Sequence, residues 1–272
     1  MSNDIPLHER RVVYKVPGMN NVSVKRDRTY KSVNGTQLKM DVYTPTSAST
    51  STRVPGVLFI HGGPIPSDYR PELKDWGQYQ SYGELIAASG FVGITFNHRY
   101  YEYSQLEQSA NDIRAAIHYT REQAEIFNLD PNRMGLWAIS GGGPQLSLVL
   151  QDKPKFVRCI VAYYAILDLH EIKEASATLN EETLRKSSLA SHISHLSFDD
   201  VPVFMVRAGL DRPELNKTID LFIREALVSN VPLDLANHPK GRHAFDVLDD
   251  DSRSRWIITR TIEFLKANLL ES

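Results

Sequence analysis

The chain has 272 residues, 42% of them hydrophobic and 24% charged, and a formal net charge of -2 at pH 7. Those values sit near the average for soluble globular proteins, and Lys and Arg are spread along the chain without a basic run interleaved with aromatics. Nucleic acid and anionic membrane surfaces are therefore set aside as partners. The length suits one α/β domain built on a single large core, and the composition is as compatible with a homo-oligomer as with a monomer.

One cysteine, Cys159, rules out an intramolecular disulfide and a sulfur cluster for zinc or iron. Inside the apolar run "FVRCIVAYYAIL" it reads as a small core hydrophobe. The N-terminal "MSNDIPLHERRVVYK" lacks the apolar centre of a secretion signal. No segment offers the roughly eighteen uninterrupted apolar residues of a membrane span, so a cytoplasmic protein is expected.

The first 45 residues read as β structure, "NVSVKR" and "QLKMDVYTP" alternating apolar and polar residues around an Asn34-Gly35 turn signal. Ser/Thr-rich "TPTSASTSTR" follows as a surface loop. From there the rhythm changes to short apolar runs at 54–60, 91–96, 133–139, 156–167, 201–206 and 231–237. Runs without alternation are what parallel strands buried on both faces require. Between them, Leu106, Ala110, Ile113 and Ile117 mark one face of a helix. Leu215, Ile219, Phe222 and Ala226 mark a second, and Ile258, Ile262, Leu265 and Leu269 a third. Strand alternating with helix predicts a doubly wound, mostly parallel sheet with helices on both faces and ligands at the carboxyl ends of its strands. The polar stretch 168–197 breaks the rhythm and reads as a short cap-like insertion carrying one or two short helices.

"LWAISGGGPQLS" joins the strand at 133–139 to a helix with Pro144 in its first turn, a position that tolerates proline. The turn contains Ser140. A Walker loop would need a lysine after the glycines, and G-x-G-x-x-G lacks its last glycine here. The remaining choices are an inert serine in a tight turn or a nucleophile elbow, G-x-S-x-G, read here as Ala138-Ile139-Ser140-Gly141-Gly142. Upstream, "VLFIHGGPIP" puts His61-Gly62-Gly63 directly after a strand. Glycines there let backbone N–H groups approach a developing oxyanion, so Gly62 or Gly63 and Gly141 are its candidate donors. Pro64 has no N–H to give.

A nucleophilic serine needs a base, and the base an orienting acid. Of nine histidines, His8 lies in the terminal segment, His118 within a helix, and His192 and His195 in the polar insertion. His238 and His243 both fall in "NHPKGRHAFDVLD" after the last strand, and His243 is favoured because His238 follows the strand too closely. Asp211, in "VPVFMVRAGLDRPEL", stands just past a buried strand; its competing role is to cap the next helix. Asp168, Asp200 and Asp246 are alternative acids, Asp246 being awkwardly close in sequence to His243. Tyr100, Tyr101 and Tyr103 follow a strand end and are candidate pocket residues, each with ordinary packing as its competing role, and His61 is a further pocket candidate.

In this order, "HGGP", "NLDPNRMGLWAISGGG", "RAGLDRP" and "GRHAFDV" resemble the α/β-hydrolase superfamily. The resemblance is closest to its dienelactone-hydrolase-like and feruloyl- or acetyl-esterase-like branch, and it extends over nearly the whole chain. It implies an α/β-hydrolase fold with a mostly parallel eight-stranded sheet, and a serine esterase acting on a small carboxylic ester without metal or organic cofactor. It also implies Ser140 as nucleophile, His243 as base and Asp211 as acid, with Gly62, Gly63 and Gly141 around the oxyanion. Ala138 departs from the elbow's first glycine, and Pro64 from the HGGG of lipases. His-Gly-Gly-Pro is also similar to oligopeptidases of the same fold, which keeps a small-amide hydrolase or peptidase as the second reading. A non-catalytic binding protein on this scaffold is the third.

Overall fold

The computed structural model describes residues 5–46, 53–193 and 201–270. The chain opens with an antiparallel hairpin of β1 (Ser23–Val33) and β2 (Thr36–Thr44). Asn34 (φ 48°) and Gly35 (φ 80°) form its turn. Positive φ at both central residues matches the twist of the flanking strands, which is why Asn-Gly signals a hairpin.

β3 (Val54–Ile60), α1 (Gly77–Ala88), β4 (Val92–Phe96), α2 (Leu106–Glu122), β5 (Leu129–Ile139), α3 (Gly143–Leu150) and β6 (Val157–Tyr163) then alternate. Three short helices follow, α4 (Lys173–Thr178), α5 (Glu181–Lys186) and α6 (Leu189–His192). The chain continues through β7 (Val203–Ala208), α7 (Pro213–Val228), β8 (Leu233–His238), α8 (Phe245–Leu248) and α9 (Ser252–Leu269). The eight strands form one sheet in the order β1-β2-β4-β3-β5-β6-β7-β8. It is antiparallel at β1-β2 and β2-β4 and parallel elsewhere. The strand order reverses between β3 and β5, the place where such sheets open a crevice at their carboxyl ends.

Side chains alternate across the sheet with period two. Val57 and Phe59 of β3, Trp137 and Ile139 of β5 and Val161 and Tyr163 of β6 face α1 and α9. Leu58 and Ile60, Leu136 and Ala138, and Ile160 and Ala162 face α2, α3 and α7. Both faces are covered, which explains why the sequence runs are uniformly apolar. Cys159 lies in the first of these layers, fully buried and unpaired, and burial pushes its thiol up to about 12.

The expected helices at 106, 215 and 258 form, and the strand expected at 54–60 spans Val54–Ile60. The ends expected at 96 and 139 also hold, and other ends shift. β6 stops at Tyr163 although the apolar run continues to Leu167, because Tyr164 turns into left-handed backbone with φ 38°. The next residues are buried beneath the short helices instead. β5 starts at Leu129, before the expected 133, and β7 and β8 each begin and end later than expected.

The insertion expected at 168–197 begins with a 3-10 turn at Leu169–Glu171 and carries α4 to α6; the part from 194 to 197 lies outside the described residues, as does most of the Ser/Thr-rich loop. Its Leu169, Ile172, Ala175 and Leu184 form a third apolar cluster with Tyr100, Leu106, Leu148, Ile166 and Leu215. No described helix is long and apolar enough to cross a membrane.

Candidate active site

Ser140 follows the last residue of β5 with φ 53° and opens a 3-10 turn, Ser140–Gly142, that runs into α3. A left-handed serine is uncommon, and such strain gathers at functional sites. The glycines after it are required by close approach. A Cβ on Gly141 would lie 1.9 Å from the carbonyl oxygen of Gly63, and one on Gly143 2.0 Å from that of Ile166. The Ser140 carbonyl accepts the Ile166 N–H at 2.9 Å. The serine turn is thereby clamped between the loop after β3 and the loop after β6. Ala138, at the elbow's first glycine position, fits its methyl fully buried between paired Ile60 and Ala162.

The loop after β3 is held by its own histidine. His61 is buried, its Nδ1 lies 2.7 Å from the Gly62 carbonyl, and its Nε2 accepts the His98 N–H at 3.3 Å. That pair of partners fixes the Nδ1–H tautomer. Its ring stacks on His98 at 3.6 Å, and burial lowers its pKa to about 4. The Gly62 N–H points at the Tyr79 hydroxyl, 3.4 Å away. Tyr100 packs its ring against Gly63. His61, Tyr100 and Tyr101 border one small cavity of about 50 Å³, with Ile65 and His98 also in its wall. Tyr103 stands edge-on to Tyr100.

Asp211 and His243 meet at the carboxyl ends of β7 and β8. His243 Nδ1 donates to Asp211 Oδ2 at 2.6 Å, and Asp211 Oδ1 accepts the Arg212 N–H at 2.7 Å. The carboxylate is 1% exposed and the imidazole 39%, so the carboxylate is dry while the imidazole faces outward. Asp211 is not the cap of α7: that helix begins after Arg212 with no side-chain cap. Among the described residues, no hydrogen bond joins Ser140 Oγ to His243. Such contacts are often long until substrate binds.

The competing candidates go elsewhere. His238 is buried with Nε2 on Ser254 Oγ at 3.1 Å, and His118 pairs with Glu122 on the surface. His8 lies beside Glu9, and Asp168 caps a turn through the His170 N–H. Asp200 and His195 lie outside the described residues, and the His192 side chain is likewise not described.

Asp246 is fully buried and accepts from three donors: Tyr164 OH at 2.6 Å, Tyr82 OH at 2.7 Å and Gln78 Nε2 at 2.8 Å. In the sequence Asp246 offers itself only as an alternative acid, and nothing there marks Tyr164, whose ring lies 4.6 Å from that of His243. The signal for Asp246 was its position in "HAFD", three residues past the histidine.

A site of this kind at the switch point of this sheet defines the α/β-hydrolase fold. The family model described as BD-FAE matches residues 40–212, more than half of the chain, and the chain belongs to that family. An esterase from Thermogutta terrifontis, Est2, superposes with a TM-score of 0.71 at 18% identity, covering 92% of this chain and 94% of its own. Esterase B from Lactobacillus rhamnosis gives 0.71 at 16% identity, covering 93% and 88%. Dipeptidyl-peptidase 5 of Porphyromonas endodontalis is 21% identical over 238 residues, 79% of this chain and 34% of the peptidase. The chain thus spans about a third of that relative's length.

Proposed function

We propose that the protein is a serine hydrolase that cleaves carboxylic esters of small molecules through an acyl-enzyme. Ser140 Oγ attacks the ester carbonyl carbon while His243 Nε2 takes its proton, and the carbonyl π electrons move onto oxygen. Asp211 keeps the imidazole in the tautomer that leaves Nε2 free and stabilises the cation that forms. The Gly141 N–H, at the start of a helix, and the Gly63 N–H stabilise the oxyanion. Gly62, whose amide turns to Tyr79, shapes the loop without donating. On collapse the C–O bond to the alcohol breaks and His243 returns the proton to the leaving oxygen. Water, deprotonated by His243, then attacks the acyl-enzyme, and the acid leaves Ser140 restored.

The observation that carries this reading is the 2.6 Å His243–Asp211 bond at the same sheet edge as a strained, glycine-clamped Ser140. Family membership and the esterases among its structural neighbours support it; Est2 has also been solved phosphoramylated by tabun. The similarity to dipeptidyl-peptidase 5 favours a second reading, hydrolysis of amides by the same residues. Comparing p-nitrophenyl acetate with an aminoacyl p-nitroanilide of equal size tests the choice. Ester turnover dominating by orders of magnitude supports the first reading, and dominant anilide turnover replaces it with the second.

A further inference from the structure

A carboxylate buried without a cation needs an explanation, because desolvation disfavours its charge. Asp246 is 0% exposed, and among the described residues it has no Lys, Arg or His partner; two phenols and an amide supply its hydrogen bonds. Those donors come from different places. Gln78 and Tyr82 belong to α1, while Tyr164 follows β6, and Asp246 itself lies in α8, three residues past His243.

Backbone strain points the same way. Tyr164, bulky and not a glycine, holds φ 38°, and Ala244, next to His243, holds φ 60°. Surroundings must over-determine such conformations for them to persist. Tyr164 is held by its N–H on the Val206 carbonyl at 2.8 Å, by its hydroxyl on Asp246, and by Gln78 Nε2 at 3.1 Å from that hydroxyl. Held so, its ring lies against His243, whose ring makes one hydrogen bond among the described residues, the one to Asp211. A single bond at Nδ1 leaves the ring free to swing about it unless a face is packed.

From these contacts we infer that Tyr164, anchored by Asp246, is a positioning residue for the His243 imidazole, and that the buried carboxylate serves this alignment. The inference rests on the reading of Ser140 and His243 as nucleophile and base. Neither Tyr164 nor Asp246 takes a proton or forms a bond in that reaction. Their effect is to fix one face of the ring, so that the bond to Asp211 aims Nε2 at Ser140.

Tyr164→Phe keeps the ring and removes the anchor; Asp246→Asn keeps the shape and removes the charge. Tyr163→Phe is the matched control: it removes a buried hydroxyl one residue away, bonded to Thr261 Oγ1 at 2.6 Å, and among the described residues its ring pairs with Tyr82, Trp137, Tyr164 and Phe245 and not with His243. kcat and KM for p-nitrophenyl acetate are measured with the melting temperature of each variant, below the lowest melting point. We expect Tyr164→Phe and Asp246→Asn to lower kcat by roughly ten- to a hundredfold with KM nearly unchanged, and Tyr163→Phe to lower only the melting temperature. Wild-type kcat in Tyr164→Phe, or equal kcat losses in Tyr164→Phe and Tyr163→Phe, overturns the inference. If Asp246→Asn does not fold, Tyr164→Phe decides alone. Ser140→Ala and His243→Ala run beside them: dead, they leave the esterase reading standing whatever Tyr164 does, whereas active variants remove that reading itself.

Discussion

His243 Nδ1 donates to Asp211 Oδ2 across 2.6 Å although 32 positions separate the two residues, because β7 and β8 are parallel neighbours ending at the same edge. The carboxylate keeps one imidazole nitrogen protonated, and with it the tautomer the proposed chemistry needs. Asp211→Asn should leave the fold intact and lower kcat by about 10⁴-fold, the loss that tautomer reversal causes in other triads. Steady-state kinetics with circular dichroism on the same sample checks this.

Gly141 admits no side chain, since its Cβ would fall 1.9 Å from the Gly63 carbonyl. Gly141→Ala must push the loop after β3 away from the serine turn and separate the two proposed oxyanion donors. The expected result is a kcat lower by about 10² to 10³-fold, the usual loss for one donor, with a lower melting temperature. Turnover like the wild type's would show that the two amides do not act together.

Stability should depend on pH through His61. Its folded pKa of about 4 is lower than the unfolded value of 6.5, so between those values the unfolded chain binds the extra proton. Stability is then full above about pH 6.5 and falls as pH drops through the window, by about 3 kcal/mol in total. His98, stacked on His61 and also held neutral by burial, acts in the same direction. Urea unfolding at pH 7 and pH 5 should show the loss, and His61→Gln should shrink it.

Trp137 is fully buried between Phe59, Tyr82 and Tyr163, with ring centroids 5.1, 4.8 and 4.8 Å away. Trp137→Ala should destabilise the protein by about 3 to 5 kcal/mol through the cavity it leaves. Trp137→Phe should cost less. Denaturant midpoints measure both.

The inner parallel strands were legible because burial on both faces leaves unbroken apolar runs, but the same uniformity hides their ends. Nothing in "VAYYAIL" marks Tyr164 as the residue where the chain turns left-handed. Helix α1 escaped notice for a related reason. Gln78, Tyr79, Ser81, Tyr82, Leu85 and Ile86 are all buried, so no polar face gives the segment a helical rhythm. Among the candidate site residues, Ser140 and Asp211 could be picked because each sits just past a strand end, and His243 because it lies in the loop after the last strand. Tyr164, Tyr82 and Gln78 could not, since their role depends on three segments converging on Asp246, and spacing along the chain carries no trace of that.

Whether Ser140 is the nucleophile is tested by p-nitrophenyl acetate hydrolysis by Ser140→Ala against the wild type, both shown folded by circular dichroism. A nucleophilic Ser140 gives a loss on the order of 10⁶-fold in kcat, the value nucleophile removal gives in a comparable triad. Turnover by Ser140→Ala within tenfold of the wild type would contradict it.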